Sequence, residues 1–330
     1  KINNSYTLGQ SNAPTDGGDM LKTRGDGTLV WEGVADTTYV PVSWYGGRGV
    51  FAGGNEPFYN VIDYITIATT GNALDFGDLT QSRAMAAGCS DGTTGVFGGG
   101  YADPYTDTID YITISTTSNA IDFGNLTDAR GNLGSCSDGT KGVWGGGQST
   151  TVNTLDYVTI STTGNALDFG DLTVARYGVT ACSDGTTGVF GGGYVSSYSN
   201  VIDYFTIATP GNATDFGDLT QSVHSPGACS DTTRGVFGGG STGSRVNTIS
   251  YITIASTGNA TDFGDLTVAR NAVDACSDGT KGVWGGGWSD AGGSGGSNTI
   301  DYVTIQTTAN ATDFGNLTQV RNYAGACSGD

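Results

Sequence analysis

The side chains in this sequence that could do chemistry recur at regular intervals. An Asp-Phe pair occurs six times, at spacings of 47, 46, 47, 47 and 51 residues. Carboxylates supply the hard oxygen ligands that Ca²⁺ prefers, and a suitably separated pair of them could cleave a glycosidic bond. Asp also hydrogen-bonds nearby backbone in turns, and its fixed place in every copy favours this structural role. The six aspartates are Asp75, Asp122, Asp168, Asp215, Asp262 and Asp313.

Two further patterns bear on catalysis. Asp-Phe-Gly matches the Mg²⁺ motif of kinases, but its six copies occur without a phosphate-binding loop or a catalytic loop, so we interpret it as a turn of the repeat. His224 is the only histidine. A single histidine excludes zinc sites built from several histidines and leaves one imidazole for acid–base catalysis. We therefore predict no catalytic residue and no cofactor, with Ca²⁺ left open as a ligand of the carboxylates.

Six cysteines occupy one position of the repeat. Rotational symmetry would place them at equivalent points of a ring, too far apart for a disulfide, which needs Cα atoms within ~7 Å. We predict free thiols that pack as small buried hydrophobic groups. They are Cys89, Cys136, Cys182, Cys229, Cys276 and Cys327.

The chain is strongly acidic, with a formal net charge of −19. Such a surface repels phosphate backbones and anionic membranes, so nucleic acid is not an expected partner. No apolar run approaches the ~20 residues of a membrane-spanning helix, so no membrane insertion is expected. The sequence opens on Lys1 and not on Met, which indicates either a removed leader or upstream part, or a source that lacked it.

Short runs of β-branched and aromatic residues, bounded by Gly, Asn and Asp, predict strands and turns in every copy. Helical periodicity is absent. Four short strands per copy at this period favour a β-propeller, whose blades leave few exposed strand edges. The predicted fold is all-β: a six-bladed propeller over residues 49–330, preceded by a short β or irregular connector over residues 1–48.

Three features of the repeat resemble kelch-type propellers: an Arg before the inner strand, a Gly-Gly pair after the second strand, and a Tyr on the third. The resemblance covers residues 49–330, with Phe in place of the outer-strand Trp and Val223 in place of Arg in the fourth copy. The arginines are Arg83, Arg130, Arg176, Arg270 and Arg321. Gly99-Gly100 is one of six such Gly-Gly pairs. The tyrosines are Tyr64, Tyr111, Tyr157, Tyr204, Tyr251 and Tyr302.

The two ends of the repeat region predict how the ring closes. The first copy begins at its second strand, at Gly49, whereas the chain ends on an inner-strand segment. We therefore expect Tyr323 to Cys327 to pair with Gly49 to Phe51, which removes an open edge. A rival for the same inner position is the segment from Tyr39 to Tyr45.

The non-repetitive segment, residues 1–48, contains short β segments separated by glycine. Its Leu21, Thr23, Gly25, Gly27 to Leu29 and Trp31 resemble an element of tailed-bacteriophage fibre proteins, which lies in or beside a trimeric shaft. The amino-acid sequence of the repeat also resembles that of virion proteins of marine cyanophages. These resemblances imply location on the virion surface, contact with other virion proteins through residues 1–48, and a homotrimer.

The copies differ most in the loop after each Gly-Gly pair and around each Arg. In a four-stranded blade both regions open on the same face of the disc. Aromatic residues there offer rigid amphipathic contact area. The predicted binding residues are Phe58, Tyr59, Tyr101, Tyr105, Tyr194, Tyr198, His224 and Trp288.

These patterns predict a virion surface or tail-fibre component that attaches to a host surface, through a glycan or a protein receptor. Two alternatives stay open: a purely structural virion decoration, and a glycan-cleaving enzyme.

Overall fold

The computed structural model describes residues 19–23, 29–33, 45–55, 57–290 and 295–330. The chain divides into two compact units, Lys1–Pro41 and Val42–Asp330. In the first, β1 (Asp19–Thr23) and β2 (Leu29–Gly33) form an antiparallel hairpin with Leu21 opposite Trp31. Within the described ranges, no helix has the length and apolar character needed to cross a membrane.

The second unit is a six-bladed β-propeller, as the repeat predicts. Each blade is an antiparallel sheet of four principal strands, of which the first lies nearest the axis and the fourth at the rim.

Blade 1 contains β28 (Gly325–Gly329), β3 (Arg48–Ala52), β4 (Val61–Thr66) and β5 (Leu74–Asp78). Blade 2 contains β6 (Ala87–Ser90), β7 (Thr94–Gly98), β8 (Thr108–Thr113) and β9 (Ile121–Asn125). Blade 3 contains β10 (Gly134–Ser137), β11 (Lys141–Gly145), β12 (Thr154–Thr159) and β13 (Leu167–Asp171). Blade 4 contains β14 (Thr180–Ser183), β15 (Thr187–Gly191), β16 (Val201–Thr206) and β17 (Thr214–Asp218).

Blade 5 contains β18 (Gly227–Ser230), β19 (Arg234–Gly238), β20 (Thr248–Thr253) and β21 (Thr261–Asp265). Blade 6 contains β23 (Asp274–Ser277), β24 (Lys281–Gly285), β26 (Gly295–Thr304) and β27 (Thr312–Arg321). Two short strands, β22 (Arg270–Asn271) and β25 (Trp288–Ser289), extend the pairing of β26.

The ring closes as the sequence predicts. The C-terminal strand β28 is the inner strand of blade 1, and Cys327 lies opposite Val50 in its ladder with β3. Of the rival segment, residues 39–44 lie outside the described residues, whereas Tyr45 lies below the ring on its axis. The blades are therefore offset by one strand from the sequence copies, and the fourth copy's Val223 belongs to blade 5.

The apolar core lies between adjacent blades. The cysteines are free and buried on equivalent inner strands, as predicted. Their sulfurs point toward the next blade, where a glycine leaves room for them: a Cβ on Gly95 would lie 2.8 Å from the Cys327 Sγ. Indole groups extend the same packing, and the Trp144 Nε1–H donates to the Ala87 carbonyl of the preceding blade over 3.0 Å.

Buried Arg–Asp ion pairs fasten the blade connections. In blade 2, the Arg83 guanidinium donates to Asp110 over 2.9 Å and to the Phe97 carbonyl over 3.1 Å. The other oxygen of Asp110 accepts from the Thr80 hydroxyl at 2.6 Å, so one carboxylate holds the connection at two points, Thr80 and Arg83. Five blades carry this pair, fully enclosed in each. The other four pairs are Arg130–Asp156, Arg176–Asp203, Arg270–Asp301 and Arg321–Asp63.

The repeated aspartates have two structural roles, as partners of the buried arginines and as hydrogen-bond acceptors in turns. The interpretation of Asp-Phe-Gly as a turn was wrong. Asp91 accepts hydrogen bonds from the backbone N–H groups of Thr93 and Thr94, which is the turn chemistry expected of the Ser-Asp segments. The Asp-Phe-Gly sequences, however, are not turns. Asp75, Phe76 and their counterparts lie in the fourth strands, where a register shift marks each ladder. The Phe is buried in the core, whereas the Asp is exposed.

The outer edge of each blade is covered by its neighbour. The Asn119 side-chain oxygen of blade 2 accepts from the backbone N–H of Asp78, at the end of the outer strand of blade 1, and the Ala120 N–H donates to the Asp78 carbonyl. Equivalent contacts recur around the ring. Since these contacts occupy edge groups, they limit edge-to-edge association.

Candidate functional site

The two variable regions of the repeat meet on one face of the ring, which we call the variable face. The loops between second and third strands pair with the connections that lead to each inner strand: Ala84 bridges Tyr101, and Tyr177 bridges Tyr194. The turns between first and second strands lie at the opposite face. There, Tyr45 lines a cavity of about 80 Å³ formed by serines and cysteines of the inner strands. The chain thus enters the propeller on the face opposite the variable loops.

Aromatic residues of blades 1 and 2 form the first group on this face, the Tyr101 cluster: Phe58, Tyr101 and Tyr105. Tyr101 contacts the edge or face of both neighbours, with ring centroids 5.6 Å from Phe58 and 4.8 Å from Tyr105. Its hydroxyl donates to Asp103 over 3.2 Å. The charge of Asp103 raises the pKa of Tyr101, which keeps the hydroxyl available as a donor.

The second group is the Tyr194 cluster, formed by Tyr177, Tyr194, Tyr198 and His224 in blades 4 and 5. Tyr194 lies 5.3 Å from Tyr198 in an edge-to-face arrangement, and His224 lies 5.4 Å from Tyr177. Burial lowers the pKa of His224 to about 4, so its imidazole is neutral at pH 7. The cluster can therefore offer aromatic faces and hydrogen-bonding groups without a positive charge.

The third group is the Trp288 cluster, formed by Arg245, Trp288 and Asp290. The Arg245 guanidinium lies 5.4 Å from the centre of the Trp288 ring and forms an ion pair with Asp290. Among the described residues, the buried indole N–H of Trp288 has no hydrogen-bond acceptor. An enclosed donor without a partner is costly, so the Trp288 cluster carries an unsatisfied polar group among the described residues.

The structure brings seven of the eight predicted residues into these three clusters. The eighth, Tyr59, lies half-buried beside framework atoms: its carbonyl accepts from the Arg83 N–H, and its hydroxyl is near enough to Arg321 to influence that group. Sequence reasoning missed Tyr177, Arg245 and Tyr323. Tyr177 directly follows a framework arginine, where the copies vary, and this signal could have identified it.

A ring of backbone hydrogen bonds surrounds the axis at the variable face. Each connection that leads to an inner strand contains one residue with a positive φ. The N–H of this residue donates to the carbonyl of the corresponding residue of the preceding blade over 2.7–3.0 Å. The six residues are Met85, Asn132, Gly178, Ser225, Ala272 and Tyr323. Left-handed backbone is strained for residues other than glycine, so the closed ring holds five strained positions in place.

Tyr323 is the residue of this ring that precedes the inner strand of blade 1. Its N–H donates to the Ala272 carbonyl over 2.9 Å, and its carbonyl accepts from the Met85 N–H over 2.8 Å. Burial raises the pKa of Tyr323. It is therefore an enclosed axial residue of the variable face.

Cations are scarce on this face. The variable loops contain no Lys, and their one Arg, Arg245, is paired with Asp290. The framework arginines of the connections are enclosed and paired. Within the described part of the chain, no group of three His, Cys, Asp or Glu side chains is placed to hold a metal ion. The face is suited to neutral or positively charged ligands.

Comparison with known proteins adds no family assignment: no protein-family model matches the sequence, and no curated protein matches it.

Proposed function

We propose that this protein is a virion surface or tail-fibre component whose variable face binds a glycan of the host surface. The observation that carries the proposal is the convergence of three aromatic clusters on one face of an otherwise near-uniform ring. Aromatic rings stack on the apolar faces of sugars while their polar edges hydrogen-bond. The location on a virion, the kelch relationship and the contact of residues 1–48 with other virion proteins belong to the same proposal and rest on the sequence resemblances.

The direction of the chain supports this arrangement. The polypeptide enters the propeller at Tyr45, below the ring, and the variable loops lie on the other side. The proposal assigns receptor contact to the variable face and not to the face at which β3 begins. A purely structural decoration would instead use the same face to contact virion proteins.

The test is a triple variant, Tyr105→Ala, Tyr198→Ala and Trp288→Ala, which removes one aromatic ring from each cluster. Truncation of an aromatic anchor at a contact costs at least about 1–2 kcal/mol, so we expect adsorption of the particle to fall at least about tenfold. The matched control replaces the exposed Leu74, Ile121 and Leu167 of the outer strands by Thr, the residue that blades 4 to 6 carry there.

The same particles separate the alternatives. Normal assembly with reduced adsorption supports receptor binding, whereas reduced assembly with normal adsorption per assembled particle supports a structural decoration. Host polysaccharide that is shortened on incubation with the wild-type protein would indicate an enzyme. Wild-type adsorption and assembly by the triple variant would contradict a functional role of this face.

A further inference from the structure

A small cavity lies on the propeller axis at the variable face. Its volume is about 60 Å³, and the six residues of the backbone ring all contribute to its lining. The polar groups around it are Asn132, Ser135, Thr180 and Ser225, together with Asp274 and Tyr323. The cavity therefore lies within the backbone ring at the variable face.

Asp274 is the only carboxyl group that lines this cavity, and no Lys, Arg or His lines it. It stands at the start of the inner strand β23 and is half-buried, and among the described residues its carboxyl group has neither a hydrogen bond nor an ion pair. The other blades carry only small residues at this repeat position. Those residues are Ala87, Gly134, Thr180, Gly227 and Gly325. A single blade thus departs from the repeat by adding a carboxyl group at the axis.

An unpaired carboxylate in such a place opposes folding, because burial disfavours its charged form. Burial accordingly raises the pKa of Asp274 to about 8. The titratable groups nearby are Cys276 on the same strand and Tyr323 on the neighbouring connection, and neither supplies a positive charge at neutral pH. A bound cation would offset this cost, so a residue that destabilises the free protein would strengthen ligand binding.

The cavity suits an ammonium group better than a metal ion. Ca²⁺ takes six to eight oxygen ligands and Mg²⁺ needs a near-ideal octahedron, whereas this cavity offers one carboxylate and a few neutral groups. An ammonium group needs about three acceptors, which a carboxylate and neighbouring hydroxyl or amide oxygens can provide. The scarcity of cations on the variable face likewise favours a ligand that brings its own positive charge.

We propose that the axial cavity binds a protonated primary amine of the ligand, with Asp274 as its counter-ion. This proposal rests on the proposed function in one respect, that the amine is carried by a glycan. The ligand class is then an amino sugar or an amine-substituted polysaccharide, and not an acidic one.

The first experiment tests the amine site without any glycan. Carboxyl NMR of the wild-type protein, with Asp274→Asn to assign the signal, gives the pKa of Asp274 in ethylammonium chloride and in tetramethylammonium chloride of equal ionic strength. We expect ethylammonium to lower this pKa by roughly one unit or more, because only ethylammonium can donate hydrogen bonds to the carboxylate. An unchanged pKa, or an equal change in both salts, would overturn the amine site.

The second experiment tests the glycan. Binding of a glucosamine tetrasaccharide is compared with binding of its N-acetylated counterpart, in which each charged amine is replaced by a neutral acetamide. We expect the wild-type protein to prefer the amine form about tenfold or more, and Asp274→Asn to lose this preference. The control Asp128→Asn removes an exposed charge from the same face and is expected to retain it.

The two experiments fail independently. If ethylammonium lowers the pKa of Asp274 but neither tetrasaccharide binds, the amine site stands and glycan recognition by this face is contradicted. If the tetrasaccharides bind equally well and Asp274→Asn changes nothing, the face binds sugars and the amine proposal is overturned.

Discussion

The residues that most determine this fold are visible in the sequence, but their pairing was not predicted. The regular spacing of the copies identifies Arg83 and its counterparts as framework residues, and five copies carry Asp before the third-strand Tyr. In blade 5 both partners change together, to Val223 and Ser250. Since an isolated buried charge is costly, this joint replacement indicates that the two positions contact each other.

Blade 5 also supplies a test of the ion pairs. Arg176→Ala would leave the enclosed Asp203 without its partner, and we expect a loss of about 3–5 kcal/mol in the free energy of unfolding. The double variant Arg176→Val with Asp203→Ser copies blade 5, where the Thr220 and Ser250 hydroxyls hydrogen-bond at 2.5 Å. We expect it to recover at least about half of that loss. Chemical denaturation measures both, and a double variant less stable than Arg176→Ala would contradict the pairing argument.

His224 gives the molecule a pH dependence of known sign. Its pKa is about 4 in the folded protein and about 6.5 in an unfolded chain. Between these values the unfolded chain binds more protons, so the free energy of unfolding falls as the pH drops from about 6.5 toward 4. We expect His224→Gln to weaken this fall, as measured by denaturation at pH 7 and pH 5. Imidazole NMR that gives a folded pKa near 6.5 would contradict the buried environment.

At the scale of elements, the sequence predicted the four strands of each blade but misplaced one motif. Asp-Phe-Gly was interpreted as a turn because the partner motifs of a kinase are absent and Asp is common in turns, yet Gly77 lies inside the fourth strand. Its φ is +148°, and a Cβ there would come within 2.4 Å of the Ser118 carbonyl of the next blade. The glycine is required by a neighbour that is distant in sequence, and strand patterns within one copy carry no information about that contact.

The inner strand β23 offers a second stability test. Below a pH of about 4, Asp274 is neutral in both the folded and the unfolded chain, and its destabilising effect grows as the pH rises toward its folded pKa of about 8. Asp274→Ala, the residue of blade 2, should therefore stabilise the propeller by roughly 1–3 kcal/mol at pH 9. We expect the gain to shrink toward pH 4. A gain that is independent of pH would show that the carboxyl charge is not its cause.

At the scale of the whole molecule, the repeat count and the offset between the two ends predicted a closed six-bladed ring. The aromatic residues of the variable loops were also placed on a common face. Their division into three clusters was not predicted, because it depends on the curvature of the ring and on side-chain directions. The axial Asp274 was not predicted either, although alignment of the six copies reveals it.

Ring closure leads to a prediction about association. Removal of Gly325–Asp330 would delete β28 and leave the β3 edge of blade 1 unpaired. An unpaired edge strand recruits another chain, so we expect the truncated protein to form more oligomers or aggregates than the complete chain under the same conditions. Size-exclusion chromatography with a thermal melt measures this. A truncated chain with the same elution volume and melting temperature as the complete chain would show that β28 is dispensable.

The position of Tyr45 and β3 has a mechanical consequence. If the protein binds a receptor as proposed, flow over the attached particle would pull on the propeller through the polypeptide, and the load would reach it at Gly47 and Arg48. Strand β3 begins at that point and pairs along its whole length with β28 on one side and β4 on the other. Tension along β3 would strain both ladders in shear, so that many hydrogen bonds must yield together instead of one after another. The closing strand would thus also share the load at the point where force enters the molecule.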